Sequence, residues 1–181
     1  MDRKLLVLDL DETLLHSSER TLGRRADFMI GPDIHVYRRP HWDTFLAYAF
    51  EHFQVGVWTA ATTPYAVEAV NGLFRRYGPP VFLWTRERCT VRQDPNTGRM
   101  YWIKNLAKVK RRGFDLDQVL AVDDCAENYE RNYGNLINIE AYTGRADDDE
   151  LLALIDFLER LRDVKSVRKV EKRSWRQAVR R

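Results

Sequence analysis

The stretch Leu5-Leu6-Val7-Leu8-Asp9-Leu10-Asp11-Glu12-Thr13 constrains the fold more than any other. Four apolar residues without alternation describe a strand buried on both faces, as inside a parallel sheet. Asp9 and Asp11 fall at its carboxyl end, the edge at which open α/β sheets bind ligands. Two carboxylates this close repel each other unless a cation is present. A hard divalent ion such as Mg²⁺ prefers oxygen ligands. The pair therefore suits phosphoryl transfer. One aspartate attacks phosphorus, and the other protonates the leaving oxygen and then deprotonates the attacking water. Alone, Asp-X-Asp fits a solvated acidic turn better than a catalytic site.

A second strand with the same character ends in acids too. Residues 118–122 read as a core strand, followed by Asp123 and Asp124. In a parallel sheet both acidic pairs can converge on one ion. A third core strand, residues 53–58, ends at Thr59-Ala60-Ala61-Thr62-Thr63, and Pro64 opens a helix to about Tyr77. The Thr59 hydroxyl and the amides after it, beginning with Ala60, can face a phosphate at that helix N-terminus. Thr62 or Thr63 can cap the same helix.

The remaining segments fill in around these strands. Residues 19–31 are polar and basic and read as a flap, and residues 34–37 as a short strand. Pro40 opens a helix with the stripe Phe45, Leu46, Ala49 and Phe50. Residues 81–103 read as a small β insertion, with strands at 89–92 and 100–103 around the turn Asp94-Pro95-Asn96-Thr97-Gly98. Residues 135–140 form a further strand. Asp147-Asp148-Asp149-Glu150 starts a helix, acids at its positive end, with Leu151, Leu152, Leu154, Ile155, Leu158 and Leu161 inward. Arg39 either faces the site or pairs with a helix-end carboxylate. Cys125 and Arg131 have the Cys-X5-Arg spacing of thiol phosphatases, but Asp123, Asp124, Glu127 and Glu130 would raise the thiol pKa and repel phosphate, so the spacing is chance.

Asp9-Leu10-Asp11-Glu12-Thr13-Leu14-Leu15-His16-Ser17-Ser18 resembles the first motif of the haloacid dehalogenase superfamily. Within it the string looks like the small C-terminal-domain phosphatases and their NLI-interacting-factor-like relatives. Trp58-Thr59-Ala60 is similar to the second motif, Tyr101-Trp102-Ile103-Lys104-Asn105-Leu106 to the third, and Asp123-Asp124 to the fourth. The resemblance implies a Rossmann-like α/β fold, a mostly parallel central sheet with helices on both faces. It implies Asp9 as nucleophile, Asp11 as acid and base, and Thr59 and Lys104 on the phosphoryl oxygens. Arg86, in a string similar to the branch's Arg-Glu-Ser-Cys, becomes a substrate contact. Mg²⁺ falls to Asp9, the backbone oxygen of Asp11, and Asp124, with Asp123 holding Lys104 or a water. Four positions depart from the branch: Asn105 stands where it often has Asp, Asp124 where it usually has Asn, and the other two bear on the substrate. Glu19 replaces a pocket aromatic and Thr62 an apolar residue, which speaks against a proline-directed phosphoserine peptide.

The expected activity is a Mg²⁺-dependent phosphomonoester hydrolase acting on a phosphorylated protein. A small-molecule or polynucleotide 3′-phosphatase and a non-catalytic phosphopeptide-binding module are the alternatives. The 181 residues suit one catalytic domain, residues 1–162, followed by a basic helix or tail, residues 163–181. A net charge of +3 does not by itself argue for nucleic acid. There is no apolar run of about 18 residues and no signal-peptide pattern. Cys89 and Cys125 are too few for a disulfide framework. The expectation is a cytoplasmic, soluble, intracellular monomer with no membrane partner.

Overall fold

The protein is described by a computed structural model covering residues 3–179. Arg180 and Arg181, the last cations of the basic run, lie outside them. In chain order, β1 (Leu5–Leu8) leads through a tight turn into β2 (Leu15–Ser18), β3 (Phe28–Ile30) and β4 (Ile34–Arg38). Helix α1 (Trp42–His52) returns the chain to β5 (Gln54–Trp58), and α2 (Thr63–Phe74) to the short β6 (Leu83–Trp84). The hairpin β7 (Thr90–Gln93) and β8 (Met100–Ile103) comes next, then the one-turn α3 (Ala107–Lys110). β9 (Val119–Asp123), β10 (Leu136–Asn138), α4 (Glu150–Arg162) and α5 (Trp175–Val179) complete the chain.

Five strands form one parallel sheet in the order β10-β9-β1-β5-β6. β1 lies at its centre, which explains its unbroken apolar run: each of its side chains is at most 1% exposed. Strand periodicity sends alternate residues to opposite faces. Leu6, Leu8, Val55, Val57, Leu120 and Val122 pack beneath α1, α2 and α4. Leu5, Val7, Trp58, Val119 and Ala121 face a second core with Phe82, Trp84, Cys89, Val109 and Tyr129. That second layer is α3, the hairpin and short 3₁₀ turns. Gly56 is required in mid-strand because a Cβ there would stand 2.5 Å from the Phe82 ring. That ring is stacked on Trp84 with centroids 4.4 Å apart and has nowhere to go.

On α4 Leu152 is 39% exposed and not inward, because the stripe Leu151, Leu154, Leu158 and Leu161 turns its position outward. Three segments also differ from the sequence reading. The flap at 19–31 contains β3, which pairs with β4 in an antiparallel sheet ordered β2-β4-β3. Its inward-outward alternation, Ile30 buried and Met29 exposed, spans only three residues and is lost among polar neighbours. The segment 81–103 is not wholly an insertion, since β6 joins the central sheet beside β5. Two residues carry no readable period. Helix α1 starts at Trp42, after His41 in a left-handed conformation (φ 63°), and not at Pro40. The C-terminal segment docks on the body through buried Val167 and Trp175. The Lys172 ammonium donates to the carbonyls of Val167 and Val170. No helix among the described residues is long and apolar enough to cross a membrane.

Candidate active site

The site is built at the carboxyl edge of β5, β1 and β9, three adjacent strands. Beyond β1, the Leu10 carbonyl accepts the amides of Thr13, Leu14 and Leu15 at 3.3, 2.8 and 3.2 Å. This turn is closed by Glu12 at φ 56°, a left-handed conformation that costs a non-glycine residue about 1 kcal/mol. Arg39 is fully buried behind it. Its guanidinium grips both oxygens of Asp148, at 2.7 and 2.8 Å, and donates to the carbonyls of Thr13 and Glu140 at 3.2 and 2.9 Å. Asp148 stands two residues before α4, so of the two sequence readings Arg39 follows the helix-end pair.

The acids meet as the two strand ends demand. Asp9, Asp123 and Asp124 each offer a carboxylate oxygen, all within 4.8 Å of one another. Lys104, fully buried, donates from Nζ to Asp9 Oδ1 at 2.7 Å and to Asp123 Oδ2 at 2.5 Å. Burial alone would lower the Lys104 pKa, but Asp123 and Asp9 beside it hold it well above its ordinary value. Asp123 also accepts from the Cys125 amide and the Asn128 side chain at 2.9 and 3.0 Å. Burial pushes its carboxyl pKa up, and Lys104 pulls the other way. The Asp124 carboxylate lines the cleft and has no side-chain hydrogen-bond partner among the described residues. Burial, then the neighbouring Asp9, pushes its pKa up to about 6. Three clustered carboxylates face one ammonium, an all-oxygen set with excess negative charge, which fits a hard divalent cation.

Asp11 stands across the cleft. Burial pushes its pKa up to about 6, Asp9 and Glu12 adding to the rise against a hydrogen bond from Tyr65. The Tyr65 hydroxyl donates to Asp11 Oδ1 and lies 3.0 Å from Ser17 Oγ. Thr59 is 1% exposed at the end of β5, and its Oγ1 accepts the Ala61 amide at 3.0 Å. Arg86 is exposed at the mouth, donating from Nε to the Ala60 carbonyl at 2.9 Å, its guanidinium 5.4 Å from the Trp102 ring centroid. Asp9, Asp11, Thr59, Ala60, Tyr65, Arg86, Trp102 and Asp124 line one cleft of about 620 Å³. Thr62 lines it too, whereas Glu19 is exposed and outside its lining.

The structure thus brings together Asp9, Asp11, Thr59, Ala60, Arg86 and Asp124 at one cleft, with Lys104 and Asp123 buried behind it. Cys125 stays apart: burial and then Asp123 push its thiol pKa up, the opposite of what a thiolate nucleophile needs. Sequence reasoning missed three contributors. Tyr65 reaches Asp11 from the first turn of α2. Asn128 fixes Asp123. Asn138 donates from Nδ2 to the carbonyls of Asp123 and Asp124 at 3.0 and 2.8 Å, holding the second acidic pair from the edge strand β10. Only Asn128, close after Asp124, offered a signal through proximity in the chain.

The chain matches the profile of a family described as NLI interacting factor-like phosphatase over residues 4–168. It is 32% identical over 166 residues to the human CTD small phosphatase-like protein, covering 88% of this chain and 56% of that protein. It is 28% identical over 176 residues to nuclear envelope morphology protein 1 of Schizosaccharomyces pombe, covering 93% and 35%. The chain spans about half the length of the first of these relatives and about a third of the second. Its fold is similar to that of Fcp1, an essential RNA polymerase II CTD phosphatase, with a TM-score of 0.58 at 14% identity over 98% of this chain and 61% of that one. With the profile running from before β1 to beyond α4, the chain belongs to the NLI interacting factor-like phosphatase family.

Proposed function

We propose that the chain is a phosphomonoester hydrolase acting on phosphorylated side chains of proteins, monomeric and Mg²⁺-dependent, through an aspartyl phosphate on Asp9. The observation that carries the reading is the buried Lys104 bridging Asp9 and Asp123 beside the open Asp124 carboxylate.

Lys104 fixes Asp9 through Oδ1, and Thr13 lies 3.4 Å from Oδ2. The Asp9 carboxylate attacks phosphorus in line with the leaving oxygen, forming a P–O bond as the ester P–O bond breaks. Asp11, protonated in a site that raises its pKa, gives its proton to the departing oxygen. The Thr59 hydroxyl, whose oxygen already accepts the Ala61 amide, keeps its proton for a phosphoryl oxygen. Lys104 supplies positive charge next to both. Asp11, now ionised, takes a proton from water. The water oxygen attacks phosphorus, and the Asp9 carboxylate leaves with inorganic phosphate released. Asp9, Asp124 and the Asp11 backbone carbonyl would hold Mg²⁺, which when bound offsets the charge of the phosphoryl oxygens and the acids. The names of the relatives support a protein substrate.

Hydrolysis of p-nitrophenyl phosphate tests the reading. The expected result is Mg²⁺-dependent turnover, lost more than about a hundredfold with EDTA and with Asp9→Asn. Full activity in either arm overturns it.

A further inference from the structure

Beside the cleft lies a second concavity of about 420 Å³, lined by Trp84, Arg88, Lys108, Arg111 and Arg112. It contains four cations, one aromatic ring and no acid. None of the four pairs with an Asp or Glu within 4.0 Å among the described residues. Other arginines of the protein do find acids, as Arg99 does with Glu127, Arg162 with Glu159 and Arg173 with Glu171. The one acid in the adjoining turn, Glu87, is turned back onto Thr63 and Thr85.

The cations are also ordered. The Arg88 guanidinium stands 5.6 Å from the Trp84 ring centroid. That of Arg112 stands 5.8 Å from Phe82 and 6.0 Å from Trp84. Lys108 Nζ donates to the Arg88 carbonyl at 2.6 Å, tying α3 to the turn that carries Arg88. Guanidinium groups already stacked on aromatic rings lose little freedom on gripping an anion in bidentate fashion.

Position gives the concavity its meaning. Arg88 follows Arg86 by two residues, and Arg86 lines the catalytic cleft. Lys108, in α3, follows Lys104 by four residues. Resting on the phosphatase reading above, we infer that this concavity docks an acidic stretch of the same polypeptide that presents the phosphorylated residue. A peptide with its phosphate against Asp9 and Thr59 passes over Arg86 and lays carboxylates, or a second phosphate, among Arg88, Lys108, Arg111 and Arg112. Extended chain advances about 3.3 Å per residue, so acids a few positions from the target serve. A nucleic acid fits less well. Trp84 is 6% exposed and its ring is covered by arginines and Phe82, so it offers no platform for a base.

The test compares the wild-type chain with Arg111→Glu/Arg112→Glu on four substrates. These are an aryl phosphate, a phosphopeptide with neutral flanks, the same peptide with four flanking Asp or Glu, and a doubly phosphorylated version. The expected wild-type KM is at least tenfold lower for the acidic than for the neutral peptide at low salt, the gap closing at high salt. The variant should abolish the gap and leave aryl phosphate turnover within twofold. Arg111→Gln/Arg112→Gln should do so in part, which controls for misfolding. The acidic and doubly phosphorylated peptides separate carboxylate from phosphate as the anion. Equal KM values in the wild type, or a gap that survives in the variant, overturn the proposal. So does loss of oligonucleotide binding with peptide KM unmoved. Anisotropy of the labelled acidic peptide reads the same contrast without turnover. An inactive wild type that still binds it through Arg111 and Arg112 would sink the phosphatase reading alone.

Discussion

In the proposed mechanism Asp11 is acid and then base, and Tyr65 is the residue that aims it. Its hydroxyl reaches one Asp11 oxygen and leaves the other free for the leaving group. Tyr65→Phe keeps the ring and removes that hold. The loss in kcat/KM should therefore grow with the basicity of the leaving group. We expect under threefold for a dinitrophenyl phosphate and roughly tenfold or more for an alkyl phosphate, within the range of general acid catalysis. In an Asp11→Asn background the same change should cost nothing further. A uniform loss across leaving groups would remove Tyr65 from this role. The sequence announced Asp9, Asp11, Asp123 and Asp124 because strand-end acids are rare and adjacent in the chain. It was silent on Tyr65, a helix residue 54 positions from its partner, whose direction depends on how α2 lies across the sheet.

At the level of elements, the second acidic pair is held from two sides. Lys104 grips the Asp123 carboxylate, and Asn138 of β10 grips the carbonyls of both residues. Trp175 of α5 in turn donates from Nε1 to the Asn138 carbonyl at 2.8 Å. The C-terminal segment is thus linked to the candidate metal site through a single edge strand. Asn138→Ala should raise the Mg²⁺ concentration for half-maximal activity about tenfold or more, as outer partners of metal ligands do. At saturating Mg²⁺, kcat should stay within threefold. A Mg²⁺ titration of activity checks both. The long elements were legible in the sequence: β1, β5, β9, α1, α2 and α4 all follow its periodicity. The three-residue β3 and two-residue β6 were not, because tertiary pairing alone makes them strands.

For the whole molecule, the clustered acids link stability to pH. Asp11 and Asp124 have folded pKa values raised to about 6 from 3.8. The folded chain holds protons there that the unfolded chain has released. Their contribution is fully present below about pH 4 and is lost as pH rises through about 6. Metal-free protein should therefore lose Tm between pH 4 and 7, unlike a protein whose carboxylates are paired. Mg²⁺ at a hundred times its dissociation constant adds about 2.7 kcal/mol by mass action. That corresponds to roughly 5–10 °C in Tm for a chain of this size. The gain should be larger at pH 7.5 than at pH 5, where protons compete for the ligands. Scanning calorimetry with and without EDTA at both pH values checks this, and a gain independent of pH would contradict it.

Asp9, the proposed nucleophile, follows the strand at the middle of the sheet, flanked by parallel neighbours and covered on both faces. Amides of that strand should exchange with solvent only when the entire chain opens, while the hairpin and C-terminal turns breathe freely. Reactivity is therefore anchored in the slowest-opening part of the molecule. Heating should leave turnover intact through partial fraying of the periphery and extinguish it in one cooperative step.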